Sequence, residues 1–313
     1  MRSLTFGSLL VPAALLAGCS PDRIQGPAPS PGMALVERSQ GRPDPEFTYT
    51  VIEVPGALAT VAFGINAQGD IVGNYVDASF RSHGFVLRDG AFTTIDFPNA
   101  GYTDARGIGP NGEIVGTYRM PGEPTVNNHG YLLAKGEFSR IDYPGHINTI
   151  PQRILPDGTL LGCRHDNDTM GSMKGITIDR EGSSEIAEFA SMNNGGTPDG
   201  KRITGLYTNM DAGNRTEGYI IEDGVFTPFI VPGSTSTAAW DMNPAGAIVG
   251  NYRNASGFHG FVRVDERYLT LDVPGATATR AFGINARGDV VGSFVSAGRT
   301  RGFLATSSRG GAF

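Results

Sequence analysis

The sequence predicts an all-β fold: a six-bladed β-propeller, four antiparallel strands per blade, with the last blade closed by the N-terminal strand. Three observations predict it. A phrase recurs roughly every 44 residues, each period divides into four short apolar runs, and one run missing at the C-terminal end of the domain stands at its N-terminal end.

The first phrase is clearest in GINAQGDIVGNY at 64–75, GIGPNGEIVGTY at 107–118, DMNPAGAIVGNY at 241–252 and GINARGDVVGSF at 283–294. Weaker copies are RILPDGTLLGCR at 153–164 and the expanded MNNGGTPDGKRITGLY at 192–207. The glycine ending the apolar pair falls at 73, 116, 162, 205, 250 and 292. A second phrase follows each copy: HGFVL, HGYLL, KGITI, EGYII, HGFVR and RGFLA, opening at 83, 129, 174, 217, 259 and 301. The third phrase, of the type FTTIDFP at 92–98, occurs only five times after a second phrase. Its sixth copy is YTVIEVP at 49–55, ahead of the first period. Pairing the chain ends in one blade closes a ring, whereas a β-solenoid, the alternative architecture, would carry atypical caps.

Strand one is thus the AFGIN type, strand two GDIVGNY, strand three HGFVL and strand four FTTIDFP. Gln68-Gly69, Asn111-Gly112 and Asp157-Gly158 mark the first hairpin, and Asp89-Gly90 and Asp223-Gly224 the third. Runs such as Ile71-Val72 and Phe85-Val86-Leu87 lack clean alternation, which fits strands buried on both faces between blades. The glycines preceding Phe85, Tyr131, Tyr219, Phe261 and Phe303 imply a close backbone approach or a bulge at the start of strand three.

These phrases resemble the bacterial extracellular repeat family called HAF, over about residues 47–305, with HGF at 83–85 and 259–261 keeping the third position of its motif. The resemblance implies export and a propeller-like repeat; it implies no particular chemistry.

The first residues read as a lipoprotein signal peptide, 1–18: Arg2, then an apolar stretch, then Leu16-Ala17-Gly18-Cys19, which resembles a lipobox. The resemblance implies cleavage before Cys19 and a diacylglycerol on its sulfur. Residues 19–46 are rich in Pro, Gly and Ser and read as a flexible tether, followed by the propeller at 47–306 and a disordered tail at 307–313. The lipid would be the only membrane anchor, and Ser20 after the acylated cysteine leans towards an outer membrane, on its periplasmic side or at the cell surface. Of the two cysteines this leaves Cys163 without an intramolecular partner. A net charge of −6 and the absence of basic–aromatic platforms argue against nucleic acid. A monomer binding a protein or a glycan is the expectation.

Residues common to every copy serve the blade, and residues that break the pattern in one copy are free to serve a ligand. His83, His129 and His259 recur, lie on different blades, and so read as structural. Thr60, Thr103, Thr149, Thr237 and Thr279 recur four residues before five of the six first-phrase copies and read as loop caps, in a ring near the channel mouth. Asp96, Asp142 and Asp272 read as turn formers. The departures sit in the two-to-three and four-to-one loops, which share one face. Arg164 replaces an aromatic residue and is followed by His165-Asp166-Asn167-Asp168, where Asp166 and Asp168 offer oxygens to a cation such as Ca2+, without regular EF-hand spacing. Arg106, Gln152 and Trp240, the only tryptophan, stand where Phe63 and Phe282 stand elsewhere. His146, Asn127 and Asn128 share the same face.

No Gly-x-Ser-x-Gly elbow, His-Glu-x-x-His, Walker loop or sialidase Asp-box occurs. The leading reading is a non-catalytic binding or scaffolding module. Its rival is a metal-assisted carbohydrate or lactone hydrolase or lyase, built on Asp104, His146, Asp166 and Asp168 at the channel mouth.

Overall fold

In a computed structural model, residues 46–166, 172–186 and 188–307 are described. The strands run in chain order. After β1 (Phe47–Ile52), blade one holds β2 (Ala59–Ile65), β3 (Ile71–Val76), β4 (Ser82–Arg88) and β5 (Ala91–Ile95). Blade two holds β6 (Tyr102–Ile108), β7 (Ile114–Arg119), β8 (His129–Ala134) and β9 (Glu137–Ile141). Blade three holds β10 (Asn148–Ile154), β11 (Leu160–His165), β12 (Lys174–Ile178) and β13 (Ser183–Glu185). Blade four holds β14 (Ser191–Gly196), β15 (Arg202–Asn209), β16 (Arg215–Glu222) and β17 (Val225–Phe229). Blade five holds β18 (Ser236–Met242), β19 (Ile248–Asn254), β20 (Gly257–Val264) and β21 (Arg267–Leu271). Blade six holds β22 (Ala278–Ile284), β23 (Val290–Ser296) and β24 (Arg299–Ser307), and its fourth strand is β1.

The order β1-β24-β23-β22 closes the ring as the phrase count requires. β1 pairs antiparallel with β24 from Phe47↔Ser307 to Ile52↔Gly302, so β24 is paired on both sides and blade six has its four strands. The first strands β2, β6, β10, β14, β18 and β22 contact one another in sequence and β22 returns to β2, which a solenoid could not do. The middle strands of each blade pack on the first strand of the next, and Val72, Val115, Val249 and Val291 are fully buried there.

Hairpin chemistry follows the sequence. Asp89 and Gly90 both take positive φ, 49° and 78°, as do Asp223 and Gly224 at 50° and 77°, the two-residue turn that matches strand twist. In the first hairpin Asn66 closes the loop, its Oδ1 accepting the Gly69 and Asp70 amides at 3.0 and 2.9 Å. The equivalent Asn243 accepts the Ala245 and Ala247 amides and Asn285 the Arg287 and Asp289 amides, and Asn285 Nδ2 donates to Asn66 O of blade one at 3.3 Å. The Asn of the GIN phrase therefore links hairpins across blades.

The bulge lies in strand one, not at the start of strand three. Every first strand slips register by one residue: at Phe63, Arg106, Gln152, Asn194, Trp240 and Phe282. The slip drives the carbonyl two residues before it against strand two. A Cβ on Gly73 would stand 1.9 Å from Val61 O and 2.8 Å from the Phe85 ring, and the other five strand-two glycines meet the same crowding. This is why the glycine after the apolar pair never varies among the six copies. The glycines that open strand three are also tight, but against the neighbouring strand or blade: Gly260 faces Leu271 O and Gly130 faces Pro151.

Candidate functional site: the channel and its loop face

The recurrent polar residues are occupied by the fold. Thr60, Thr103, Thr149, Thr237 and Thr279 each accept, through Oγ1, the amide of the residue before an Xaa-Pro proline: Val54, Phe97, Tyr143, Val231 and Val273, at 2.7–3.1 Å. They cap the loop leading into each first strand, as the sequence suggested. His83 and His259 stack on Tyr75 and Tyr252, and His129 lies tilted against Tyr118, at 5.1–5.2 Å between ring centroids. Their Nδ1 atoms lie 2.8, 3.4 and 2.7 Å from Asp96, Asp142 and Asp272. The aspartates read as turn formers are thus also histidine partners.

The bulge residues form the channel wall. Across blades five, six and one, Trp240 meets Phe282 edge-on at 5.2 Å and Phe282 meets Phe63 at 5.3 Å. Arg106 on blade two continues the arc with its guanidinium 5.4 Å from the Phe63 ring centroid. Trp240 is half-buried, packs near Leu206 and Met192, and donates from Nε1 to Asn251 Oδ1 at 2.8 Å. Gln152 and Asn194 complete the wall, both buried.

A bulge leaves its own carbonyl out of the ladder, so six bulges leave carbonyls at the centre of the ring. Arg153 collects four of them. Its guanidinium donates to Arg106 O at 2.9 Å, Gln152 O at 2.7 Å, Phe63 O at 3.1 Å and Phe282 O, on four different blades. Its Nε lies 3.1 Å from Asp241 Oδ2, too bent for a hydrogen bond but close enough for an ion pair. Asp241 also accepts the Met242 amide at 2.9 Å and the Ile284 amide at 3.1 Å. Burial pushes its carboxyl up, with Arg153 opposing the shift. Gly stands at the equivalent position in the other four blades: Gly64, Gly107, Gly195 and Gly283. Sequence reasoning passed over Arg153 and Asp241, although the rule that departures matter identifies both. On the far side, a depression of about 150 Å³ ringed by the first hairpins, with Pro110, Pro156, Pro198 and Pro244, ends on this pair.

The singled-out loop residues divide into two groups. His146 Nδ1 lies 2.8 and 3.0 Å from the two oxygens of Asp166, and the hydrogen bond holds the Asp166 carboxyl below its usual range. Arg164 Nη1 stands 3.7 Å from Asp166, but its main partner is Glu185, bound through Nε and Nη2 at 2.7 Å each. His165 is buried at the end of β11. Cys163 is free and fully buried, and burial pushes its thiol up to about 12, which disfavours the thiolate. Asp104 does not join this group. It is 1% exposed and its oxygens accept from Tyr102, the Thr117 amide and the Thr117 hydroxyl at 2.8–2.9 Å, beside Arg106 at 2.9 Å. Among the described residues, no three His, Cys, Asp or Glu side chains gather as a metal site. Cys19, Asn167 and Asp168 lie outside the described residues.

No family model matches the chain, and no curated protein does. Similar solved structures include the Aleuria aurantia lectin in complex with Fucα1-6GlcNAc, with a TM-score of 0.53 at 9% identity, over 81% of this chain and 93% of the lectin. A calcium-binding regucalcin from Agrobacterium tumefaciens gives a TM-score of 0.51 at 14% identity, over 84% and 95%. A gluconolactonase-type protein gives 0.51 at 14% identity, over 84% and 92%. At such identities the likeness is one of fold. Strand order, ring closure and these likenesses together make the chain a six-bladed β-propeller, four antiparallel strands to the blade.

Proposed function

We propose that the protein is a binding module which takes a glycan on the face of its two-to-three and four-to-one loops, and which is held at the cell envelope by a lipid on Cys19. The observation that carries the binding reading is the arc of Trp240, Phe282 and Phe63 with Arg106 stacked beyond it. Trp240 and Phe63, half-buried on either side of the buried Phe282, offer aromatic surface bordered by hydrogen-bonding groups, which suits the apolar faces and hydroxyls of a sugar. The channel below is filled by Arg153 and Asp241, so the arc bounds a cup rather than a pore. A lectin is among the proteins of similar fold, which is compatible with this use of the architecture.

The hydrolase or lyase reading is supported less. It needs Asp104 to act with His146 and Asp166, and Asp104 is committed to Tyr102, Thr117 and Arg106 instead. A central ring of carbonyls would attract a metal ion, but the cation among them is the protein's own guanidinium. A Ca2+ ion at Asp166 and Asp168 remains part of the proposal, as a loop-ordering ion; a calcium titration followed by calorimetry tests it.

The glycan reading is tested by retention on an array of immobilised glycans. Wild-type protein should be retained by at least one neutral or acidic glycan, and Trp240→Ala should weaken that retention about tenfold or more, the loss expected of about 1.4 kcal/mol of stacking. No retention by wild type, or equal retention by both, overturns the reading. Incorporation of labelled fatty acid into the full chain, lost in Cys19→Ser, tests the anchor.

A further inference from the structure

The inference that follows rests on the glycan reading and names its ligand class. It starts from Arg280, on β22, two residues before the bulge residue Phe282. Several arginines of the channel and loop face are neutralised within the protein: Arg106 by Asp104, Arg153 by Asp241, Arg164 by Glu185, and Arg299 and Arg301 both by Glu53. Arg280 is half-buried, and among the described residues no carboxylate stands within ion-pair distance of it. Burial alone lowers its affinity for its proton, with no nearby negative charge to offset the loss.

What holds the side chain is a ring. The Arg280 guanidinium lies 4.0 Å from the centroid of Phe258, which opens β20 on the neighbouring blade, and Arg253 stands 5.5 Å from the same centroid. Two like charges thus share one aromatic group without an anion between them. Each pays for desolvation or repulsion in the free protein, and a bound anion would relieve both. A guanidinium stacked on an aromatic face keeps its N–H edge free and its plane fixed, the preorganised fork that carboxylates bind in pairs of hydrogen bonds. Phe282, on the same strand, is buried and backs Trp240, the half-buried ring proposed to meet the sugar.

We infer that Arg280, supported by Arg253 across Phe258, is an anion subsite of the loop face, and that the glycan recognised carries a carboxylate, as a uronic acid does. The carboxylate binds the Arg280 fork while the sugar ring reaches Trp240, which is half-buried and packs edge-on against the buried Phe282.

The test uses the full folded chain with galacturonic acid trimer and with its methyl ester, which has the same shape and no charge. Wild type should bind the acid at least tenfold tighter by calorimetry, with an advantage that falls as salt is raised. Arg280→Gln should bring acid and ester to equal affinity without moving the thermal midpoint, and Arg253→Gln should narrow the gap part of the way. Equal binding of acid and ester by wild type overturns the inference, and so does a preference that survives in Arg280→Gln. Binding of neither ligand also overturns it. The broader reading is judged apart from this, by Trp240-dependent retention of neutral glycans: if that persists while the acid preference fails, only the subsite is wrong.

Discussion

Replacing Arg153 by Met tests whether one side chain holds the middle of the ring. Met keeps most of the stem's volume and removes the charge and its donors. In the native protein that charge meets Asp241 and three carbonyls at 2.7–3.1 Å, with Phe282 O as a fourth acceptor. Removing one partner of a buried pair leaves the other uncompensated and costs about 3–5 kcal/mol. That is a third or more of the roughly 5–15 kcal/mol by which a domain is stable. Asp241→Asn should cost less, about 1–3 kcal/mol, because the guanidinium keeps its carbonyls and the Asn oxygen still accepts an amide. The double change Arg153→Met with Asp241→Asn removes the stranded carboxylate and should be more stable than Arg153→Met alone by about 1 kcal/mol or more. Urea unfolding followed by circular dichroism measures all four proteins. An Arg153→Met protein within about 0.5 kcal/mol of wild type would refute the reasoning, as would strictly additive losses in the double variant.

Gly292→Ala places a Cβ 2.0 Å from Arg280 O and should cost about 3 kcal/mol or more, whereas Gly298→Ala, with no atom within 4 Å, pays only for its φ of 72°, about 1 kcal/mol; thermal melts rank the two. Thr237→Val removes the acceptor of the buried Val231 amide and should lower stability by about 1–3 kcal/mol in urea, with unchanged glycan retention. The hydrogen bonds from Arg164 hold the Glu185 carboxyl below its ordinary range, so the pair contributes fully above about pH 4.3 and its contribution fades as pH falls through the lowered folded value. Between pH 6 and pH 3, Glu185→Gln should accordingly show a shallower loss of stability than wild type, by about 1 kcal/mol, in melts recorded across that range. Deleting residues 47–52 should leave β24 with an open edge and yield a protein that aggregates or melts well below wild type in light-scattering and calorimetric scans.

Fold and site were legible to different depths, for one physical reason. A blade's demands recur six times, so the glycine opposite each bulge, the capping threonine and the hairpin asparagine are visible as periodic residues. The clasp was legible because Thr50 and Val51 belong to a phrase otherwise found only after a strand three, and they pair with Leu304 and Phe303. Of the two readings of the glycines that open strand three, the close approach holds, while the bulge lies in strand one. Its cause is steric and non-local, the approach of Val61 O to Gly73, and a sequence records the glycine but not the carbonyl that requires it. Among the departures, Arg106 and Trp240 were found because they replace large apolar residues. Arg153 was missed because it replaces a glycine in a weaker copy, where degeneracy masks substitution; Asp241 opens one of the clear copies, and its meaning rests on Arg153, a partner two blades away. Arg164 was legible as unusual, but its partner Glu185 lies a strand and a hairpin away, at the head of a degenerate third-phrase copy, EIAEF at 185–189, and no local pattern joins the two.

Because the polypeptide enters the propeller through β1, any load transmitted from residue 46 reaches the outermost strand of blade six first. Drawn along its own axis, that strand shares the strain among all six pairings with β24, from Phe47↔Ser307 to Ile52↔Gly302. Pulled away sideways, it yields them one after another, starting at the rim. The fold is therefore mechanically directional, stiff to tugging in one orientation and readily unzipped in the other.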